Sequence, residues 1–116
     1  MRIWARVVAL LVVLPTLGCR LGTTFDAEAW RDPKRVQAGD RRAMADRLLW
    51  TRALLGRSRT DVLALLGPPS SDGYFRDWGL VYWLGPERGY FGIDSEWLGL
   101  RLDAEERVIE ARILTD

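Results

Sequence analysis

The groups available for acid–base chemistry in this sequence are carboxylates, because the chain has no histidine and a single cysteine. Those counts exclude Ser-His-Asp and Cys-His catalysis, zinc sites built on histidine or cysteine, and an intramolecular disulfide. Two carboxylates suffice for glycoside hydrolysis. Five are clustered in the second half of the chain: Asp72, Asp77, Glu87, Asp94 and Glu96. Because nothing supplies the cleft or the raised pKa that hydrolysis needs, the pattern favours a solvated sheet rim. The sequence therefore predicts no enzyme, no metal site and no cofactor.

Aromatic residues are concentrated in the same region and are the second candidate for function. Most are expected in a core: Trp78, Tyr82, Trp83 and Trp97. Arg88, Tyr90 and Phe91 instead fall in the glycine-rich stretch 85–93. Arginine and aromatic side chains are typical of interface hot spots, so these three are the candidate interaction surface. The alternative is that the loop aromatics fold back on the sheet.

Residues 1–18 have the parts of an export signal. Arg2 and Arg6 make a positive start, Val7–Leu17 is an apolar run, and Gly18 is a small residue before Cys19. A transmembrane helix is the alternative, but the apolar run is shorter than the roughly 20 residues that a span requires. The pattern therefore predicts a signal peptide over residues 1–18.

The single cysteine follows this signal directly. Thr16–Cys19 resembles the lipobox of bacterial lipoproteins, which implies that Cys19 is lipidated and begins the mature chain. Several acyl chains anchor a protein firmly, so the membrane would be contacted through the lipid. Arg20 would be the second residue of the mature chain. By resemblance to lipoprotein sorting, a residue other than aspartate at that position implies the outer membrane, with the domain facing the periplasm. The alternative is an incidental cysteine beside an ordinary cleavage site.

The chain is expected to hold one folded domain, at residues 40–116, after a lipidated N-terminus and tether at 19–39. Its 116 residues, with 48% hydrophobic and 28% charged, are typical of one globular domain. A net charge of +1 argues against nucleic acid as a partner. Within the tether, Asp26 is expected to cap one helical turn, and residues 31–39 are expected to be irregular.

Two helices and a sheet are predicted for the domain. Asp40–Leu55 has helical periodicity, and Ser58 is placed to cap a second helix that ends at Gly67. Only two or three residues join them, which predicts a helical hairpin. The strand signals come later: Tyr74–Trp78 (short), Leu80–Leu84, Ser95–Leu102 and Arg107–Leu114. The expected fold is α+β, with the two-helix hairpin packed on a three-stranded antiparallel sheet.

Leu55–Pro69 (LGRSRTDVLALLGPP) resembles the signature of the SmpA/OmlA (BamE-like) family of outer-membrane lipoproteins. Tyr82–Gly85, Asp94–Leu98 and Leu100–Asp103 are similar to its sheet region, so the resemblance covers about residues 40–114. It implies a non-enzymatic accessory or scaffold of the cell envelope, with the barrel-assembly machinery as a partner. It implies no particular partner-binding residue. The alternative is a periplasmic inhibitor or ligand-binding module, because the implied fold is similar to that of β-lactamase-inhibitor half-domains.

Overall fold

The computed structural model describes residues 22–70, 75–88 and 93–116 of the chain. The predicted signal peptide and Cys19 lie outside these residues. Helices precede strands throughout. In chain order the elements are α1 (Ala27–Arg31), α2 (Pro33–Gln37), α3 (Asp40–Trp50), α4 (Arg59–Leu66), β1 (Leu80–Pro86), β2 (Ser95–Leu102) and β3 (Val108–Thr115).

Short polar side chains start three of the helices. Asp26 accepts hydrogen bonds from the first amides of α1, and Ser58 Oγ accepts one from Asp61 N at 3.1 Å at the start of α4. Both caps are confirmed. The irregular segment predicted at 31–39 is wrong where α2 forms. Asp32 caps that helix, and Pro33 occupies its first turn, where a missing N–H costs nothing.

Helix α3 ends at Trp50, five residues before the predicted end at Leu55. A series of turns follows, in which Arg52 takes the left-handed conformation with φ 57°. Gly56 N then donates to Val108 O at 2.8 Å. This backbone bond joins the chain after the turns to the first residue of β3, so a connection to the sheet stands where the last turn of the helix was predicted.

The three strands form one antiparallel sheet in the order β1-β2-β3. The bounds predicted for β2 are confirmed, and β1 and β3 differ from prediction by one or two residues at their ends. Leu102 pairs with Val108 although Arg101 pairs with Glu110, so β3 carries a bulge near its start. The short strand predicted at Tyr74–Trp78 is wrong over the described part, because residues 75–79 form turns.

Trp30 is the centre of the packing between helices and sheet. It is fully buried, its ring lies 6.0 Å from the ring of Tyr82, and its Nε1 donates to Leu66 O at 2.9 Å. Tyr82 OH donates to the next carbonyl, Gly67 O, also at 2.9 Å. The two side chains thus satisfy carbonyls that the end of α4 leaves unpaired. Burial of Tyr82 raises its pKa to about 12.

The main core lies between the helices and one face of the sheet, and a smaller apolar cluster covers the other face. That smaller cluster joins Val81, Trp97 and Leu114 to Phe75, Trp78 and Trp83.

The predicted α+β class and three-stranded antiparallel sheet are confirmed. The two-helix hairpin is not confirmed, since the described residues contain four helices and α4 packs chiefly against α1. With Trp30 in the core, the folded part begins upstream of residue 40.

Candidate functional site

The interaction surface predicted from sequence lies in the connection between β1 and β2. Of its three residues, Tyr90 and Phe91 fall outside the described residues, and Arg88 lies on the described side of the connection. Its guanidinium meets two carboxylates: Nη1 lies 2.6 Å from Asp46 Oδ2, and Nη2 lies 2.7 Å from Glu96 Oε1. Arg88 thus serves as a structural tie between α3, β2 and this connection.

Glu96 anchors the tie from within the domain. It is only 6% exposed, and its Oε2 also accepts the Arg88 backbone N–H at 2.8 Å. Burial alone would raise the pKa of Glu96, but the hydrogen bonds and charge of Arg88 outweigh it and hold that pKa below its ordinary value. The pKa of Arg88 is raised by its hydrogen bonds to Glu96 and then to Asp46. At neutral pH Arg88 and Glu96 therefore both stay ionised.

Helix α3 fixes the whole end of β1 through arginine side chains. Arg41 Nη1 donates to Trp83 O at 3.0 Å, and Arg42 Nη1 donates to Pro86 O at 2.6 Å. Asp46 of the same helix forms an ion pair with Arg88. Side chains of α3 therefore contact the chain at three points between Trp83 and Arg88. The chain entering the predicted interaction loop is therefore held by hydrogen bonds to the body of the domain.

The clustered carboxylates do not converge on a common point in the described part of the chain. Glu96 is committed to Arg88, and the contact between residues 87 and 94 is a backbone bond, Glu87 N to Asp94 O at 2.7 Å. At Asp77 the backbone carbonyl, not the carboxylate, accepts from Arg101. Asp72 lies outside the described residues. Over residues 22–70, 75–88 and 93–116 there is no group of three or more potential metal ligands.

A cleft beside β1, which sequence reasoning missed, is a candidate binding site in the described part of the chain. It has a volume of about 270 Å³ and is open to solvent. Its lining comes from α1, α2, the start of α3 and β1: Arg31, Pro33, Val36, Gln37, Arg41 and Trp83. No motif joins these positions in the sequence. Arg31 and Pro33 belong to a segment expected to be irregular, so no local signal pointed to the site.

Arg41 forms the inner wall of this cleft. Its Nε donates to Trp30 O at 2.8 Å, its Nη2 donates to the same oxygen, and its Cζ lies 4.7 Å from the centre of the Trp30 ring. With the bond to Trp83 O, its described contacts are all to neutral groups. Desolvation consequently lowers the pKa of Arg41, although an arginine remains charged at any physiological pH.

Comparison of the chain with protein-family models, with curated proteins and with solved structures finds no match. Within the described part of the chain, no helix combines the length and the apolar character of a membrane span.

Proposed function

We propose that this chain is a lipoprotein of the bacterial cell envelope that acts as a non-enzymatic accessory or scaffold. The observation that carries the proposal is the order of features at the N-terminus: Arg2 and Arg6, the apolar run Val7–Leu17, then Gly18 and Cys19. In this proposal residues 1–18 are a signal peptide, Cys19 carries the lipid, and the domain faces the periplasm from the outer membrane. The similarity of Leu55–Pro69 to the SmpA/OmlA signature supports the same assignment.

The proposed working part is a small domain that contacts a protein partner through the β1–β2 connection. The ties of Arg88 to Asp46 and Glu96 support this role, because a fixed loop base lowers the entropic cost of binding. Tyr90 and Phe91 then follow as the aromatic contacts. The barrel-assembly machinery is the partner that the family resemblance suggests.

The anchor is tested by replacing its attachment point. Cys19→Ala is expected to move the protein from the membrane fraction to the soluble fraction and to abolish incorporation of labelled palmitate. Thr23→Ala is the matched control, because it lies in the same N-terminal stretch and leaves Cys19 in place. Unchanged membrane association of Cys19→Ala contradicts the anchor.

The partner contact is tested by crosslinking in intact cells. A photoreactive residue at position 90 or 91 is expected to give a discrete adduct with an envelope protein. The same residue at Trp50, an aromatic position that is 66% exposed on α3, controls for non-specific capture. Equal adducts from both places contradict the loop as the contact. A pull-down from solubilised envelope that recovers no barrel-assembly component contradicts that particular partner.

The second candidate function is a periplasmic ligand-binding or inhibitor module, and one observation favours it. The cleft beside β1 brings Arg31 and Arg41 to one open surface with Trp83, and their described contacts include no carboxylate. A scaffold that used only the β1–β2 connection would not need two such cations in a cleft.

A further inference from the structure

The cleft beside β1 carries two positive charges and has no acidic residue in its lining. Elsewhere in the described chain, exposed arginines are often paired: Arg35 with Asp40, Arg59 with Glu106 and Arg101 with Glu110. Arg31 and Arg41 have no such ion pair among the described residues. Both side chains line the same cleft, so an anion bound there is attracted by two positive charges.

Both guanidinium groups keep N–H donors available. Arg41 uses three of its five N–H groups on the Trp30 and Trp83 carbonyls. Arg31 makes one long hydrogen bond, from Nη2 to Ala64 O at 3.4 Å. The nearest carboxylate in sequence, Asp32, caps α2 by accepting from Lys34 N at 3.0 Å, and the described ion pairs include none between Asp32 and Arg31.

The other walls of the cleft are largely apolar. Pro33 and Val36 come from α2, the half-buried Trp83 comes from β1, and Gln37 adds one amide. A volume of about 270 Å³ is below the usual range of pockets for whole small molecules, so it suits one or two side chains.

We propose that this cleft binds a carboxylate-bearing peptide segment of a partner protein, with an aspartate or glutamate between Arg31 and Arg41 and a neighbouring apolar side chain against Trp83. Charge complementarity selects the carboxylate, since the planar guanidinium fork matches its two oxygens. The apolar walls favour a peptide with a neighbouring apolar side chain over a free ion. The inference deepens the second candidate function and does not depend on the lipid anchor.

The test is a titration of the full-length protein in detergent, in which the NMR signal of the Trp83 indole N–H reports binding. The probe is acetyl-leucyl-glutamyl-leucinamide, and its neutral counterpart is acetyl-leucyl-glutaminyl-leucinamide. The glutamate peptide is expected to shift the Trp83 signal with saturation, and the glutamine peptide is expected to bind about tenfold more weakly. Equal binding of the two peptides, or no shift at Trp83, overturns the proposal.

Substitutions identify the arginine that binds the carboxylate of the peptide. Arg31→Gln is expected to weaken binding of the glutamate peptide about fivefold, because Arg31 is partly screened by solvent. Arg76→Gln removes the same charge from an exposed position outside the cleft, and it is expected to leave the affinity unchanged. Equal effects of the two variants overturn the proposal, and so does inorganic phosphate that binds as tightly as the peptide. Release of Cys19→Ala from membranes is measured separately, so failure of either proposal is distinguishable from failure of the other.

Discussion

Trp30→Phe is expected to destabilise the domain strongly although it keeps an aromatic ring in the core. The indole is fully buried, and its Nε1 is the donor to Leu66 O at 2.9 Å. Phenylalanine has no donor, so the substitution leaves this carbonyl unpaired beside a leucine that is itself only 2% exposed. Water cannot easily replace the lost donor at such a site.

The magnitude follows from two contributions. Leaving a buried acceptor unsatisfied costs about 1–3 kcal/mol. Replacing indole by the smaller phenyl ring also opens space at a position with no exposure, which costs about 1 kcal/mol more. Stacking of Arg41 on the ring is retained, because phenylalanine still offers an aromatic face. The free energy of unfolding of Trp30→Phe is therefore expected to fall by about 2–4 kcal/mol.

Urea unfolding of the full chain, monitored by far-ultraviolet circular dichroism, measures this change. Trp50→Phe is the matched control: its indole is 66% exposed, so its effect is expected to stay within about 0.5 kcal/mol of the wild type. A loss below about 1 kcal/mol for Trp30→Phe, with an unchanged denaturant slope, refutes the reasoning. It would mean that the hydrogen bond to Leu66 O contributes little to stability.

Two further substitutions test the sheet and its charged tie. Glu96→Gln is expected to cost about 1 kcal/mol near neutral pH, because the amide oxygen can still accept a hydrogen bond but Arg88 keeps an ion pair only with Asp46. The folded-state pKa of Glu96 is lowered, so its contribution is present above the unfolded pKa of about 4.3 and is lost as the pH falls through the folded value. The free energies of unfolding of the wild type and the variant, measured at several pH values, are therefore expected to converge in acid. A difference that stays constant with pH contradicts the ion pair. Gly99→Ala is expected to lower the free energy of unfolding by about 1–3 kcal/mol, because the added Cβ would lie 2.5 Å from Leu114 Cδ1. A thermal unfolding midpoint equal to that of the wild type contradicts this packing.

Features that depend on neighbouring residues were predictable from the sequence. The caps at Asp26 and Ser58 follow from a short polar side chain that reaches amides two or three residues ahead. The bounds of β2 follow from the alternation of Leu98, Leu100 and Leu102 with Arg101 and from the polar turn after the strand. Helix α2 has equally local signals, since Asp32 caps it and Pro33 occupies its first turn, although residues 31–39 were expected to be irregular.

Features that depend on distant residues were not predictable. The turns after α3 lead to a backbone bond from Gly56 N to Val108 O, and the bulge in β3 lies where the strand pairs with Leu102. Arg88 was expected on an exposed surface, but its role as a tie depends on Asp46 and Glu96, which belong to other elements. Such contacts leave no periodicity in the sequence.

The sequence by itself determined which side chains are available for chemistry, with no histidine and one cysteine behind an apolar run, and it predicted helices followed by an antiparallel sheet. The tertiary structure decided where the charges act. Burial of Trp30 draws α1 and α2 onto the domain, and this packing places Arg31 and Arg41 beside Trp83. The physical reason is that capping and alternation act over a few residues. A binding cleft, in contrast, is formed by side chains that only the packing of the whole core brings together.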